Sequence, residues 1–219
     1  MSEGAQEHRL EVVGWSVGWD GALLLGPLDL SLRSGECVTL TGPSGCGKST
    51  LLRSWAGLID PTTGRITLDG QSPDASGWPL FRRRVHYVSQ RSAFGQLTVE
   101  SALMRPFSFA SHSGVYVREA AVSALEDMGL GEELLSRRAV SLSEGQQQRL
   151  SLARSLLLDP CFVLLDEPTS ALDEESAALV ERAIERRRSE SGLGVVWVTH
   201  DSQQAARVGD RSLALEGQL

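Results

Sequence analysis

The sequence predicts an α/β fold built on a mostly parallel sheet, and three observations predict it. Short apolar runs alternate with helix-like segments along the chain, which is the order of elements in parallel α/β sheets. The runs at 162–166 and 194–199 are apolar rather than alternating, as strands covered on both faces are. The run at 37–40 leads directly into a glycine-rich loop and then a helix-like segment.

The remaining elements follow from local patterns. Strict alternation of apolar and polar residues at 28–32 and again at 65–70 predicts antiparallel strands with one solvated face. A further strand is predicted at 85–88. Helices are predicted, in chain order, at 48–57, about 117–128, about 143–158 and about 174–189.

A single domain over residues 1–219 is expected, because no linker, repeat or low-complexity tract divides the chain. Strand signals are missing between about 92 and 142, so we expect a helical subdomain over about 92–157, inserted in the α/β core. The chain is long enough to bury a core without disulfides or metals. Cys37, Cys46 and Cys161 show no paired or metal-ligand spacing, which fits a reducing cytosol.

Charge and hydropathy exclude several classes of function. The net charge of −7 and pI near 5.2 argue against a nucleic-acid partner. The arginine run at 186–188 ends a helix of alternating charge, which favours a solvated face. No segment approaches the roughly 18 apolar residues of a membrane span, and the N-terminus lacks the apolar core of a signal peptide. We therefore expect a cytoplasmic protein that reaches a membrane only through another chain.

The loop at 42–50, GPSGCGKST, matches the pattern G-x-x-x-x-G-K-[ST]. Glycines let backbone N–H groups point at an anion, and the helix that follows adds free N–H groups and its positive dipole end. A plain turn would explain the glycines but not a lysine at the first helical turn, where cations are disfavoured. We predict that Lys48 reaches the β- and γ-phosphates of a nucleotide and that Ser49 ligates Mg²⁺. The predicted ATP contacts here are Gly42, Pro43, Ser44, Gly45, Cys46, Gly47, Lys48, Ser49 and Thr50.

Two acids follow the apolar run at 162–165. Asp166 and Glu167 lie at the strand's carboxyl end, where parallel α/β sheets bind ligands. We predict that Asp166 holds Mg²⁺, through water, and that Glu167 is the general base for the attacking water. The alternative is that both acids cap the next turn, since D-E-P-T-S is also good turn chemistry.

The segment 142–146, LSEGQ, starts a helix. Ser143 and Gln146 form a predicted capping box, and with Gly145 they offer hydroxyl and N–H groups to an anion. The loop at 42–50, called the phosphate loop below, is already predicted to bind the nucleotide of the same chain. A second phosphate-binding helix terminus therefore suggests a nucleotide shared across a dimer interface.

These motifs resemble those of ABC transporter nucleotide-binding domains over nearly the whole chain. LSEGQ resembles the family signature LSGGQ, with Glu144 replacing a glycine. Residues 164–173 resemble the Walker B segment followed by the D-loop. Residues 198–201 resemble the switch-histidine segment, and residues 88–90 resemble the Q-loop. The resemblance implies a P-loop NTPase (RecA-like) core with a mostly parallel sheet, an antiparallel β-subdomain and a helical ABC-specific subdomain.

The resemblance also implies roles for individual residues. Gln90 would contact ATP, ligate Mg²⁺ and sense a membrane partner, and His200 would contact the γ-phosphate as a second catalytic residue. Contacts made in trans, across a dimer, would come from Ser143, Gly145, Gln146 and Asp173. Trp19 precedes the loop at the spacing of the family's adenine-stacking aromatic, with Trp15 as its rival, whereas Trp55 and Trp197 are expected in the core.

The leading functional prediction is an ATPase subunit that binds ATP and Mg²⁺ and powers a separate integral-membrane permease. It would act as a homodimer or heterodimer at the cytoplasmic face of the membrane. At subfamily level the chain resembles small Fet-type ATPases linked to metal (iron) export, although other substrates stay open. The alternatives are an ABC ATPase of DNA repair or translation, and a P-loop kinase or GTPase, against which the LSEGQ helix argues.

Overall fold

The computed structural model describes residues 7–19, 22–112 and 114–215, and its strands form two sheets. The first is antiparallel, with strand order β2-β1-β4, and it contains the alternating segments that the sequence assigned to such a sheet. Its strands are β1 (Arg9–Trp19), β2 (Ala22–Arg33) and β4 (Thr63–Leu68).

The second sheet is parallel, with strand order β5-β6-β7-β3-β8. The predicted runs are present as strands within a residue of their predicted ends. The strands are β3 (Cys37–Thr41), β5 (Val85–Val88), β6 (Phe162–Asp166), β7 (Gly194–Val198) and β8 (Arg211–Ala214).

Helices separate these strands. The described helices are α1 (Lys48–Trp55), α2 (Pro73–Ser76), α3 (Trp78–Arg84), α4 (Val99–Met104), α5 (Arg118–Glu126), α6 (Glu144–Leu157), α7 (Glu174–Ser191) and α8 (Ser202–Val208). The described residues between β5 and α6 form only helices, 3₁₀ turns and loops, apart from one isolated bridge between Thr98 and Arg138. The bounds of a helical subdomain over 92–157 stay a prediction.

Each face of the parallel sheet is buried against a different layer. On β6, Val163 and Leu165 pack into the core formed with α4–α7, while Phe162 and Leu164 pack into the core formed with α1 and the antiparallel sheet. The five residues of β6 are all buried, and so are those of β7. Burial on both faces is the physical reason that these runs are apolar throughout.

Two further sequence predictions concern buried tryptophans and membrane-spanning helices. Trp55 and Trp197 are fully buried, as the sequence predicted. Among the described residues, none of the helices combines the length and the apolar character needed to cross a bilayer.

Candidate functional site

The phosphate loop joins the end of β3 to the start of α1. Gly45 and Gly47 have φ angles of 80° and 96°, which favour glycine over any residue with a side chain. Gly47 is the N-cap of α1 and makes no side-chain capping bond, so the first N–H groups of the helix face the loop. A Cβ on Gly47 would lie 2.9 Å from a methyl carbon of Leu25, whereas the space beside Gly45 is open. The positive φ angles of these two glycines are the backbone geometry that lets successive N–H groups of a loop point at an anion.

Lys48 is 6% exposed and its ammonium group lies inside the curve of the loop. Nζ donates hydrogen bonds of 2.8 Å to the carbonyl oxygens of Gly42 and Pro43. The side chain of Cys46 packs into the core, and its N–H donates to the Pro43 carbonyl, so this residue shapes the loop from within. Pro43 and Ser44 are exposed, and Thr50 lies half-buried in the first turn of α1.

Ser49 and Asp166 are 117 positions apart in the sequence, yet they touch. The Ser49 hydroxyl donates to Oδ1 of Asp166 at 2.9 Å, and Asp166 is only 2% exposed. The other carboxylate oxygen, Oδ2, accepts a 2.9 Å hydrogen bond from the Tyr87 hydroxyl. Burial raises the pKa of Tyr87 to about 12, so the phenol is a hydrogen-bond donor at neutral pH.

Glu167 lies next in the chain, with an unusual backbone. Its φ of 48° is left-handed, a conformation that costs about 1–3 kcal/mol for a residue other than glycine. Bonds on both sides hold it there: its N–H donates to Val198, and Gln148 Nε2 donates to its carbonyl oxygen at 2.8 Å. Its side chain therefore leaves the strand at a fixed angle instead of capping the following turn.

The Glu167 carboxylate meets two of the predicted site residues. Gln90 Nε2 donates to Oε2 at 3.0 Å, and His200 Nδ1 lies 3.7 Å from the same oxygen. The His200 side chain is 71% exposed. Glu167 and His200 line an open cavity of about 890 Å³, which extends between α7 and α8 and also includes Glu174.

The start of α6 has the capping box that the sequence predicted. The Ser143 hydroxyl accepts from the N–H of Gln146, and the Gln146 side chain accepts from the N–H of Ser143. Ser143 and Glu144 are exposed. Gly145 allows close packing, since a Cβ there would lie 2.9 Å from the Ala171 carbonyl oxygen.

Asp173 caps the N-terminus of α7 by accepting from the N–H of Ser176, and this bond lowers the pKa of the Asp173 carboxyl.

The predicted site residues therefore fall into two groups. The phosphate loop, Asp166, Glu167, Gln90 and His200 form one connected group. In the described part of the chain, no hydrogen bond or ion pair joins Ser143, Gly145 or Asp173 to the phosphate loop.

The two tryptophans considered for adenine stacking differ in what the structure describes of their side chains. Trp15 is 2% exposed and its indole N–H donates to the Ser54 hydroxyl at 2.8 Å, so it is a core residue and the rival assignment is wrong. The backbone of Trp19 pairs with Ala22 at the end of β1, but its side chain lies outside the described residues. Stacking by Trp19 stays a prediction.

The oxygen ligands near the loop fit Mg²⁺. This ion is typically bound by one or two carboxylates together with substrate phosphates, and it keeps several waters. Ser49 and Asp166 supply oxygen atoms that meet at one point beside the loop, and the amide group of Gln90 lies against the neighbouring Glu167. Clusters of three or more His, Cys, Asp or Glu side chains, which would indicate a different metal, are absent from the described residues.

Sequence reasoning missed three residues of the site. Tyr87, Arg53 and Gln148 all contact the two acids or each other, and Arg53 Nε donates to the Tyr87 hydroxyl at 3.2 Å. The available signal was their position: Tyr87 lies three residues before Gln90, and Gln148 lies one turn into the signature helix.

Comparison with known proteins gives a consistent family. The family model described as ABC transporter matches residues 25–170. The chain is 38% identical to the phosphate import ATP-binding protein PstB 2 of Natronomonas pharaonis, covering 97% of this chain and 79% of that protein. It is 36% identical to the probable iron export ATP-binding protein FetA of Escherichia coli (strain K12), covering 93% and 89%.

A solved structure agrees with these relatives. The dimeric structure of an ATP-binding cassette in a post-hydrolysis state, bound to ADP and Pi, superposes with a TM-score of 0.85 at 29% identity, covering 94% of both chains. Other curated relatives are longer: the chain spans 58% of a spermidine/putrescine import ATP-binding protein of Bacillus cereus.

Proposed function

The chain belongs to the ABC transporter family as an ATP-binding domain, and on that premise we propose that it is the ATP-hydrolysing subunit that powers a separate membrane permease. The observation that carries the proposal is the contact of 2.9 Å between Ser49 and Asp166, with Glu167 directly beside it. This contact joins a phosphate-binding loop to a carboxylate pair at one edge of the sheet, which is the arrangement that nucleotide hydrolysis needs.

Each residue has a defined task in this proposal. When ATP binds, Lys48 exchanges its two carbonyl partners for phosphate oxygens. These oxygens are negatively charged and therefore accept stronger hydrogen bonds than the neutral carbonyl oxygens do. Ser49 and Asp166 would hold Mg²⁺, which would supply positive charge to offset the negative charge that develops on the phosphate oxygens. Gln90 completes this set with its amide oxygen.

Glu167 takes the proton of the attacking water. Its carboxylate is fixed by the Gln90 amide, and His200 lies close enough to hold the γ-phosphate beside it. A positioned base contributes typically 10²–10⁴-fold to a rate, so loss of the Glu167 carboxylate should slow the chemical step by that factor.

The group formed by Ser143, Gly145, Gln146 and Asp173 serves a second copy of the chain or a homologous subunit. Ser143 is exposed and Gly145 and Gln146 are half-buried at the N-terminus of α6, where anions bind favourably. We assign this end of α6 to the nucleotide held by the partner's phosphate loop. The dimeric relative bound to ADP and Pi supports this assignment.

The permease docks beside β5. A groove of about 650 Å³ lies there, lined by Tyr87 and by basic side chains that include Arg82, Arg105 and Arg154. Docking at this groove, adjacent to Gln90, would place the subunit at the cytoplasmic face of the membrane.

For the cargo we propose metal export, supported by the similarity to the probable iron exporter over 89% of that protein's length. Stimulation of ATP hydrolysis in the reconstituted complex by iron supports this cargo, whereas stimulation by phosphate favours the import activity named for the other relative.

Substitution of Glu167 by glutamine tests the proposal. The amide keeps the size of the side chain but accepts no proton, so hydrolysis should slow by roughly 10²–10⁴-fold while ATP stays bound. The two copies should then remain closed around ATP, and size-exclusion chromatography should show a dimer with ATP but not with ADP.

Glu174→Gln is the matched control, because Glu174 lines the same cavity and, among the described residues, no hydrogen bond or ion pair joins it to Gln90 or His200. It should hydrolyse ATP at the wild-type rate. A Glu167→Gln variant that binds ATP, hydrolyses it normally and stays monomeric would disprove that Glu167 is the general base and that two chains share the nucleotide site.

A further inference from the structure

Tyr87 occupies an unexpected position beside the buried acid of the site. The Asp166 carboxylate has two oxygens, and the structure gives each one its own hydroxyl donor at 2.9 Å: Ser49 on Oδ1 and Tyr87 on Oδ2. With both oxygens held, the carboxylate cannot rotate about its terminal bond without breaking a hydrogen bond. The direction in which Asp166 presents its free lone pairs is therefore set by two side chains from different elements.

A charged donor lies behind Tyr87. Arg53, on α1, donates from Nε to the Tyr87 hydroxyl at 3.2 Å. A hydroxyl that accepts from a cation becomes a better donor itself, because successive hydrogen bonds polarise one another. Arg53, Tyr87 and Asp166 thus form a chain of bonds that runs from the exposed side of α1 to the buried acid.

The strand register explains how Tyr87 reaches this place. Tyr87 pairs with Leu164 in the parallel ladder of β5 and β6, two residues before Asp166. The same strand leads to Gln90, whose amide contacts Glu167. One short strand therefore supplies a contact to each of the two acids.

We propose that Tyr87 is a positioning residue for the metal-binding carboxylate: its hydroxyl orients Asp166 for Mg²⁺ and is itself polarised by Arg53. The inference rests on the proposed function, since it concerns the same nucleotide site. Tyr87 touches neither ATP nor the ion in this scheme and acts only through Asp166.

The test compares nucleotide binding with and without the ion. Isothermal titration with AMP-PNP, once in excess EDTA and once in MgCl₂, gives the factor by which Mg²⁺ increases affinity. In Tyr87→Phe this factor should fall by roughly three- to tenfold, because the Asp166 carboxylate loses one of the two hydrogen bonds that orient it. The affinity measured in EDTA should not change, since the phosphate loop is intact.

Phenylalanine is the right substitution because the Tyr87 ring also lines the groove beside β5. Tyr116→Phe is the matched control: the Tyr116 hydroxyl has no hydrogen-bond partner among the described residues, and its ring packs against Phe107. This variant should keep the wild-type Mg²⁺ factor.

Arg53→Met tests the polarising role. Alone it should lower the Mg²⁺ factor less than Tyr87→Phe does. In the Tyr87→Phe background it should add little, because its hydrogen bond toward the site runs through the missing hydroxyl and only its charge attraction to Asp166 is left.

The outcomes separate the possibilities. Equal loss of affinity in EDTA and in MgCl₂ would assign Tyr87 a structural role only, and an unchanged Mg²⁺ factor would remove it from the site; either result overturns the inference. A wild-type chain that binds no nucleotide in either buffer overturns the proposed function itself.

Discussion

Two helix N-termini in this molecule are proposed to bind phosphate, and they differ in the groups that surround their free N–H groups. The N-terminus of α1 has a glycine N-cap without a side-chain bond, and the loop before it curls around Lys48. The N-terminus of α6 is closed by its own capping box between Ser143 and Gln146, and it is exposed. The first lacks a cap but is surrounded by its own chain, whereas the second is capped but faces outward.

The difference suggests that α1 serves a nucleotide bound by its own chain and that α6 serves a nucleotide bound by a partner chain. At α1 every other component of a nucleotide site is within reach, including the Ser49–Asp166 pair. At α6 the helix is stable without a ligand, because an N-cap of this type contributes about 1 kcal/mol. A terminus that needs no ligand for its own stability can be presented to a second chain and withdrawn again.

The strongest test of this comparison is Ser143→Arg. A bulky cation at the exposed terminus would block the partner's nucleotide, so hydrolysis should be abolished while each monomer still binds ATP. Steady-state phosphate release and isothermal titration with ATP measure the two effects separately. In a mixed dimer, only the site facing the altered residue should fail.

Ser143→Asp provides the control for stability, because aspartate is as good an N-cap as serine. It should melt like the wild type yet still lose hydrolysis, since it places a negative charge against the partner's phosphates. Full activity in both variants would mean that the α6 terminus serves no nucleotide.

At the other terminus, Lys48→Ala should weaken ATP binding by roughly 10²–10⁴-fold, because it removes a cation that bonds two phosphate oxygens at about 1.5–3 kcal/mol each. Isothermal titration measures the affinity. A thermal melt gives the separate cost of losing the two bonds to Gly42 and Pro43. Wild-type affinity in a folded variant would contradict the assignment of the loop.

The smallest effect concerns the base of the nucleotide. Trp19→Ala should weaken ATP binding by roughly 10- to 100-fold, since stacking of a base on an aromatic ring is worth about 1–3 kcal/mol. Trp15→Ala should instead lower the free energy of unfolding by about 3–5 kcal/mol, because it empties a core position. Denaturant melts and titrations of both variants give the two quantities; the reverse pattern would refute the assignment.

The sequence predicted those strands of the fold that have a clean apolar pattern. It missed β1, where glycines and register shifts between Val12 and Gly18 interrupt the alternation. It missed β8 because this strand has four residues, most of them exposed, and lies at the edge of the sheet. β1 has strand-forming residues but no unbroken alternation, whereas β8 carries no local signal and forms because β3 lies beside it.

The residues of the candidate site likewise divide into those that a local pattern identifies and those that only the folded structure brings together. Residues within one loop or helix terminus, such as Lys48 and Ser143, were recognisable because the physics of anion binding is local. Tyr87 was not, since its place beside Asp166 depends on the register of β5 against β6. Trp15 needed the same kind of information, because its partner Ser54 is 39 positions away.

The buried ammonium of the phosphate loop has a consequence for anyone who handles this protein. Lys48 is the only lysine in the sequence, and arginine supplies all the other basic side chains apart from histidine. Amine-reactive reagents therefore have one side-chain target, and a lysine-specific protease has one cleavage site, at the start of α1. Because Nζ is buried and bonded to two carbonyls, its labelling rate reports how often the loop opens. Mass spectrometry of a single acylated residue can thus serve as a footprint of nucleotide occupancy, without a mutation or a dye.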